Sequence, residues 1–216
     1  MQVLAVPVKA LDRGKRRLSG ILTPSERSRL VFAMFRGVLE AALAQHDWTV
    51  LVVSPSEEVL AEAERRGAGA VPDRGGSLRS ALRQIESTLA SNDDLAILLA
   101  DLPRIAGPAV AASLAEARAS AVSAVAAHSD GGTNLLVRCP AGIIPNRFGR
   151  SSFERHRAEA LRAGAAFREL RRRELAFDLD TSEDVRAWLA DDGAGPAYEE
   201  ALEMGLPSRV GELARR

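Results

Sequence analysis

The sequence predicts a three-layer α/β domain in which helices cover both faces of a mixed but mainly parallel sheet. Two observations favour this fold. Short apolar runs alternate with longer amphipathic segments along most of the chain, and strands that alternate with helices form parallel sheets through helical crossovers. Several of the runs are almost continuously apolar, "LAILLADLP" above all, which is typical of strands buried on both faces.

Seven segments have the length and composition of strands. In chain order they read "QVLAVPV", "WTVLVVS", "GAVPD", "LAILLADLP", "AVSAVAAHS", "TNLLVRC" and "LAFDLDT".

Helices are predicted between these strands, and two of them begin with the signature of a capping box. Thr23 and Glu26 open "TPSERSRLVFAMFRGVLEAALAQ", and Ser54 and Glu57 open "SPSEEVLAEAERRGA". A Ser or Thr followed three residues later by Glu satisfies orphan N–H groups at a helix start. The other predicted helices are "GSLRSALRQIESTLA", "GPAVAASLAEARAS", "SSFERHRAEALRAG" and "SEDVRAWLA".

The length of 216 residues and the apolar fraction of 46% allow one domain with a substantial core. We expect this domain to span residues 1–192. Residues 193–216 form a C-terminal tail that is predicted to be partly helical. The tail packs either on its own domain or on a partner subunit, and the second arrangement would make a homodimer.

The charge and cysteine content exclude several classes of function. Lys and Arg total 29, as do Asp and Glu, and a neutral chain is a poor candidate for nucleic-acid binding through phosphate neutralisation. No apolar stretch approaches the roughly 18–20 residues that span a bilayer, so we expect no membrane partner. The lone cysteine, Cys139, excludes an internal disulfide and suits a reducing compartment. These observations favour a cytoplasmic protein.

Polar residues follow several of the predicted strands. Lys9, Asp73, Asp101 and Asp180 each lie at the end of a strand or just past it. In open α/β sheets, ligands bind where the carboxyl ends of parallel strands meet. Three carboxylates and a lysine at that edge would suit a divalent cation together with an anionic ligand.

Asp178 and Asp180 alternate with apolar residues in "LAFDLDT". In a strand they would share one face, where like charges repel and burial without a partner is costly. A magnesium ion held together with Asp101 would account for all three carboxylates.

Three further segments each allow two interpretations. The basic loop "VKALDRGKRRL" either wraps a triphosphate or forms a solvated surface loop. "DGGTNLL" either lets the backbone approach a ligand or makes a tight turn, and "RFGRSSFERH" offers either an anion site at a helix start, with free N–H groups, or an ordinary N-cap. The three histidines show no metal-ligand or catalytic spacing, and we interpret them as structural or surface residues.

The motifs "VPVKALDRGKRRL", "LADLP", "DGGTNLL", "RFGRSSFERH" and "FDLDTSEDV" occur together in this order. In this respect the chain resembles, over about residues 3–190, the guanylyltransferases of coenzyme F-420 biosynthesis. The resemblance implies a GT-A-like, Rossmann-related nucleotidyltransferase fold. It also implies a reaction in which the phosphate of phosphoenolpyruvate, 2-phospho-L-lactate or 3-phosphoglycerate attacks the α-phosphorus of GTP and pyrophosphate leaves.

The resemblance also implies roles for individual residues. The catalytic set would be Lys15, Asp101 and Asp180. Magnesium would be held by Asp101 and Asp180, with Asp178 beside them. Residues expected to bind the nucleotide are Lys9, Lys15, Arg17, Gly76 and Arg79, and those expected to bind the phosphorylated carboxylate are Thr133, Gly149 and Ser152.

Arg79 departs from the family pattern, because the family has asparagine at this position. The position is expected to face the nucleotide, where an arginine would stack on the base or pair with a phosphate. Two alternatives stay open beside the guanylyltransferase hypothesis. One is another small nucleotidyltransferase that uses CTP or a molybdopterin acceptor, although the Gly-rich loop typical of such enzymes is absent. The other is a nucleotide-binding relative without catalytic activity.

Overall fold

The structure, a computed structural model, describes residues 1–74, 77–191 and 193–213. Within these ranges the chain forms one seven-stranded sheet. The strands are β1 (Gln2–Pro7), β2 (Thr49–Ser54), β3 (Gly69–Pro72), β4 (Asp94–Leu98), β5 (Val122–Ala126), β6 (Thr133–Arg138) and β7 (Phe167–Glu169).

The strand order across the sheet is β3-β2-β1-β4-β6-β5-β7. Strand β6 runs antiparallel to both of its neighbours, and the other pairs are parallel. The predicted mixed but mainly parallel sheet is therefore confirmed. Because β5 has the same direction as β1 and β4, the loops that follow these three strands meet at one edge of the sheet.

Helices pack on both faces of the sheet, as predicted. One apolar cluster joins the sheet to α1, α2, α4 and α6, and a second joins its opposite side chains to α3 and α5. The helices are α1 (Pro24–Leu43), α2 (Glu57–Arg65), α3 (Leu78–Glu86), α4 (Gly107–Ala117), α5 (Ser152–Arg162), α6 (Arg173–Ala176), α7 (Ser182–Leu189), α8 (Pro196–Glu203) and α9 (Leu206–Leu213).

The first predicted capping box is confirmed and the second is wrong. Thr23 and Glu26 satisfy each other's backbone N–H groups at the start of α1. By contrast, Ser54 is fully buried as the last residue of β2. Its hydroxyl accepts a hydrogen bond from the N–H of Ser56 at 3.1 Å, and α2 begins only at Glu57. Pairing with β3 thus extends the strand through the residue that the local pattern assigns to the cap.

The strand predicted in "LAFDLDT" is also wrong. Helix α6 covers its beginning, and the residues that follow are irregular. The edge of the sheet is formed instead by β7, which pairs with β5 and which the sequence pattern does not predict. A side chain from β6 satisfies the end of α6, because the Asn134 amide donates to the carbonyls of Leu175 and Ala176 at 2.9 and 3.1 Å.

Helices α8 and α9 lie in the segment 193–216 and share an apolar cluster with α1 and α7. Buried members of this cluster come from all four helices, among them Leu30, Met34, Val185, Trp188, Ala197, Ala201, Leu206 and Val210. In the described ranges, no helix has both the length and the hydropathy that crossing a bilayer requires.

The α8–α9 pair offers a matched test of this packing. Leu206 is fully buried, whereas Leu202 has 51% of its surface exposed. We expect Leu206→Ala to lower the free energy of unfolding by about 2–5 kcal/mol, since it removes buried methyl groups and leaves a cavity. Leu202→Ala should change it by less than about 0.5 kcal/mol. Urea unfolding of both variants measures the difference, and equal losses would contradict the observed packing.

Candidate active site

A cavity of about 580 Å³ opens at the edge of the sheet where the parallel strands β1, β2, β3 and β4 end. Its wall includes the start of α3 and apolar residues that follow the strands. The charged residues that the sequence analysis places at strand ends all line it, namely Lys9, Asp73, Asp101 and Asp180. Lys15 lines it as well.

The central contact in this cavity is a lysine held between two carboxylates. The Lys15 ammonium donates to Asp101 Oδ2 at 2.6 Å and to Asp180 Oδ1 at 2.7 Å. The lysine side chain is only 6% exposed, while each carboxylate is 35% exposed. Lys15 has a left-handed backbone with φ of 51°, so the loop after β1 adopts a sparsely populated conformation where the ammonium turns towards the acids.

Lys15 and Asp101 stabilise each other's charged forms. Burial lowers the pKa of Lys15, but the attraction of Asp101 and Asp180 exceeds that effect and raises the pKa above its usual value. Burial raises the pKa of Asp101, yet the charge and hydrogen bond of Lys15 hold it below its usual range. Two carboxylates thus face a single ammonium, an arrangement that favours a further cation at this place.

Asp178 lies outside this contact, and its expected role beside the two magnesium ligands stays a prediction. Its Oδ1 is 2.9 Å from His128 Nδ1, and its Oδ2 accepts a hydrogen bond from the Ser129 hydroxyl at 3.2 Å. Burial raises its pKa, and repulsion from Asp101 and Asp180 adds to this. In the part of the chain that the structure describes, no three His, Cys, Asp or Glu side chains are placed to hold one metal ion.

His128 connects two acidic residues, which the sequence analysis did not anticipate. Its Nδ1 faces Asp178, and its Nε2 lies 3.3 Å from Asp184 Oδ1. The imidazole stacks on the Phe177 ring with 4.6 Å between centroids, and the Arg104 guanidinium lies 3.9 Å from the centroid of the same ring. The sequence feature that could have indicated this contact is the position of His128 just past the end of β5, at the edge of the sheet that also holds Asp101 and Asp180.

The three residues expected to bind the acceptor lie together at the start of β6 and of α5. The Ser152 hydroxyl donates to Thr133 Oγ1 at 3.0 Å, and the Ser152 N–H donates to the Gly149 carbonyl at 3.0 Å. Thr133 Oγ1 is also 3.1 Å from His156 Nδ1. Thr133, Ser152 and His156 are each at most 2% exposed.

The interpretation of the α5 start as a set of free N–H groups is wrong for its first residues. The N–H groups of residues 151–153 all donate to backbone carbonyls, those of Asp130, Gly149 and Gly131 respectively. Any anion bound here would therefore meet the side-chain hydroxyls rather than these backbone donors.

The loop after β5 contacts both Asp178 and the start of α5, where the residues expected to bind the acceptor lie. Ser129 contacts the carboxylate of Asp178, and the next residue, Asp130, accepts from the Ser151 N–H at 3.3 Å. Because β5 runs in the same direction as β1 and β4, this loop lies at the edge of the sheet that holds the cavity. The acidic cluster (Asp101, Asp178 and Asp180) and the buried hydroxyls of Thr133 and Ser152 thus lie at one end of the domain.

Two residues expected to bind the nucleotide, Arg17 and Arg79, do not line the cavity, and their roles stay predictions. Arg17 is exposed on a 3₁₀ turn whose next residue, Leu18, is buried. Arg79 is exposed on α3, while its neighbours Ser77 and Leu78 line the cavity. Gly76 lies outside the described residues.

The chain is similar to known proteins in family, in sequence and in fold. The family model described as "Guanylyl transferase CofC like" matches residues 1–202. A phosphoenolpyruvate guanylyltransferase of Sphaerobacter thermophilus is 37% identical over 203 residues, which are 92% of this chain and 98% of the relative. A 2-phospho-L-lactate guanylyltransferase of Methanothermobacter thermautotrophicus is 35% identical over 182 residues, which are 83% of this chain and 80% of the relative.

A solved structure of CMP:2-keto-3-deoxy-manno-octonic acid synthetase complexed with CTP has a TM-score of 0.57 to this chain. The match covers 88% of this chain and 98% of that one at 16% identity, so it shows a shared nucleotidyltransferase fold.

The buried imidazole of His156 predicts a pH-dependent stability. Burial and three neighbouring arginines lower its pKa from 6.5 to about 3. Between these values the unfolded chain binds one more proton than the folded chain, so stability rises with pH. We expect the free energy of unfolding to fall between pH 7 and pH 4, with this residue contributing at most about 1.4 kcal/mol per pH unit.

His156→Asn removes the titrating group, so its urea-unfolding free energy should fall less over the same range. The matched control is His46→Asn, since His46 is exposed; it should keep the wild-type slope. Identical slopes for the wild type and His156→Asn would contradict the prediction.

Proposed function

Since the chain belongs to the CofC-like guanylyl transferase family, we propose that it transfers GMP from GTP to the phosphate of phosphoenolpyruvate, with release of pyrophosphate, in coenzyme F-420 biosynthesis. The observation that carries this proposal is the Lys15 ammonium held between Asp101 and Asp180 on a strand-end cavity. The ordered motifs of the sequence agree with this family, and the resemblance is confirmed by the family match and by the relatives.

The cavity suits a nucleotide in size and charge. Its volume of about 580 Å³ lies within the roughly 300–1,000 Å³ of small-molecule sites. Lys9 and Lys15 line the same wall, and ammonium groups are point-charge partners for phosphates. Lys9 is exposed and Lys15 is buried, so the two lysines would meet different parts of a triphosphate chain.

Other residues of the cavity lining suit a guanine base. Asp73 and Ser77 line it together with apolar residues such as Leu78. Guanine presents an N1–H and an N2 amino group side by side, and a carboxylate accepts from both at once. Adenine has an acceptor at N1 and lacks the N2 amino group, so the same carboxylate would discriminate against it.

The residues present fit a magnesium ion with two protein ligands. Asp101 and Asp180 converge on one cationic centre and keep an excess negative charge even with Lys15 bound. Magnesium in nucleotide sites takes one or two carboxylates and completes its octahedron with waters and phosphates. When bound to Asp101 and Asp180, it would neutralise charge on the reacting phosphates.

The proposed reaction needs positioning rather than a protein nucleophile. A phosphate monoester has a second pKa of about 6, so the acceptor oxygen is ionised at neutral pH without a general base. That oxygen forms a bond to the α-phosphorus, and the bond from the α-phosphorus to the bridging oxygen breaks. Pyrophosphate leaves with the electron pair. The ammonium of Lys15 stays charged and stabilises the charge that develops on the transferred phosphate.

The hydroxyls of Thr133 and Ser152 are the proposed donors to the acceptor's anionic oxygens. They lie beside Gly149, on the same end of the domain as the acidic cluster. We choose phosphoenolpyruvate first because two relatives named for it are 37% and 39% identical to this chain, whereas two relatives named for 2-phospho-L-lactate are 35% and 29% identical.

Pyrophosphate release from purified protein with magnesium tests the proposal. We expect turnover with GTP and phosphoenolpyruvate, weaker turnover with 2-phospho-L-lactate or 3-phosphoglycerate, and little with ATP or CTP. A preference for CTP would identify another type of nucleotidyltransferase. Absence of pyrophosphate release with every acceptor would instead indicate a nucleotide-binding protein without this activity.

The two carboxylates supply the second test. We expect Asp101→Asn and Asp180→Asn each to lower kcat by at least about 100- to 1,000-fold, the cost of removing one preorganised electrostatic group. The control is Asp47→Asn, since Asp47 has an 81% exposed side chain far from the cavity; it should keep the wild-type kcat. Circular dichroism checks that the variants fold. Near-normal turnover of either variant would remove that residue from the proposed mechanism.

A further inference from the structure

His156 is a fully buried histidine whose two ring nitrogens both have polar partners. The ring nitrogen Nε2 lies 2.8 Å from the backbone nitrogen of Arg147, and Nδ1 lies 3.1 Å from Thr133 Oγ1. The ring also packs edge-on against Phe148, with 5.1 Å between centroids. Both ring nitrogens of this buried imidazole are therefore satisfied, and the identity of their partners fixes its tautomer.

The contact with Arg147 decides the tautomer. A backbone N–H can only donate, so Nε2 must accept and carries the lone pair. The imidazole is neutral, because burial and the charges of Arg138, Arg155 and Arg147 lower its pKa to about 3. The single ring proton therefore lies on Nδ1 and is donated to Thr133 Oγ1.

The Nδ1–H tautomer sets the direction of the hydroxyl hydrogen bonds. Thr133 and Ser152 have two hydroxyl protons between them, and their mutual contact at 3.0 Å uses one. Because His156 donates to Thr133, the second proton is not needed by the imidazole. With the opposite tautomer, Thr133 would donate to the ring and Ser152 to Thr133, and both protons would be used. His156 thus leaves one hydroxyl proton free to be donated to a partner other than Thr133, Ser152 and His156 themselves.

We propose that His156 is a positioning residue for the acceptor: through Nδ1–H it holds the Thr133–Ser152 hydroxyl pair so that one hydroxyl proton is donated to an anionic oxygen of the phosphorylated carboxylate. This inference rests on the proposed function. One further observation supports it. The N–H groups of residues 151–153 already donate to backbone carbonyls, so a side-chain hydroxyl is the donor that the first residues of α5 can offer to an anion.

A purely structural role for His156 makes a different prediction. In that case its contribution would be the acceptor for the Arg147 N–H, which anchors the loop before α5. Two variants distinguish the positioning role from the structural role, because each keeps a polar atom at the place of only one ring nitrogen. The amide nitrogen of asparagine takes the place of Nδ1 and can donate to Thr133, whereas the amide oxygen of glutamine reaches the place of Nε2 and can accept from Arg147.

The experiment measures steady-state kinetics of the full chain with GTP and phosphoenolpyruvate. We expect His156→Gln to raise the KM for phosphoenolpyruvate about five- to tenfold, the usual worth of one neutral hydrogen bond. The KM for GTP should stay unchanged. The separate variant His156→Asn should have an acceptor KM close to the wild-type value. His46→Gln is the control, since this histidine is exposed, and should match the wild type in every parameter.

A double-mutant cycle shows whether His156 acts through Thr133. Thr133→Val removes the hydroxyl, and we expect His156→Gln to add nothing to the acceptor KM in that background. Additive effects would overturn the proposal, as would equal KM increases for the asparagine and glutamine variants. An unchanged acceptor KM in His156→Gln would overturn it while leaving the guanylyltransferase activity intact. If the wild-type chain releases no pyrophosphate with any acceptor, the proposed function fails first and this inference with it.

Discussion

The strand-end cavity of this domain depends on one ion-pair arrangement, the ammonium of Lys15 between Asp101 and Asp180. The residues of its two contacts are separated by 86 and 165 positions in the chain, so the arrangement joins the loop after β1, the loop after β4 and the segment before α7. Removing the lysine would leave two carboxylates close together without a counter-ion, and removing one acid would leave a buried ammonium with half of its compensation. Either loss is expensive in a desolvated site. The contact therefore stabilises the shape of the cavity as well as supplying charge.

Asp180 in turn is oriented by the start of α7. Its N–H and that of Thr181 both donate to Asp184 Oδ2 at 3.0 and 2.7 Å, within a capping box that begins the helix. Helix α7 is anchored by Trp188, which is buried in the cluster shared with α1, α8 and α9. The C-terminal helices therefore pack against the same helix that positions the Asp180 carboxylate, although they lie outside the sheet. Core packing at one side of the domain thus fixes an electrostatic group at its ligand-binding edge.

The parts of the site that follow from strand ends were predictable, and those that depend on tertiary contacts were not. Lys9, Asp73 and Asp101 come directly after apolar runs, so the parallel topology alone brings them to one cavity. The pattern of "LAFDLDT" satisfies the two-residue period of a strand, but Asn134 binds this backbone and β7 takes the sheet edge. Asp178 and Asp180 consequently face different partners. The contact of His128 with Asp178 spans 50 residues and has no local signature.

The two halves of the proposed site use different chemistry for anions, and this difference fits their tasks. The nucleotide half offers charged ammonium groups, which act on the phosphates where charge develops during transfer. The acceptor half offers neutral hydroxyls held by a neutral imidazole. The pKa of Asp178, which the loop after β5 contacts, is raised by burial and by its acidic neighbours. Strong charge attraction to the acceptor there would stabilise the bound substrate and the transition state equally, which lowers KM without raising kcat. Neutral donors instead fix the orientation of the acceptor and leave the charge stabilisation to the carboxylate–lysine centre.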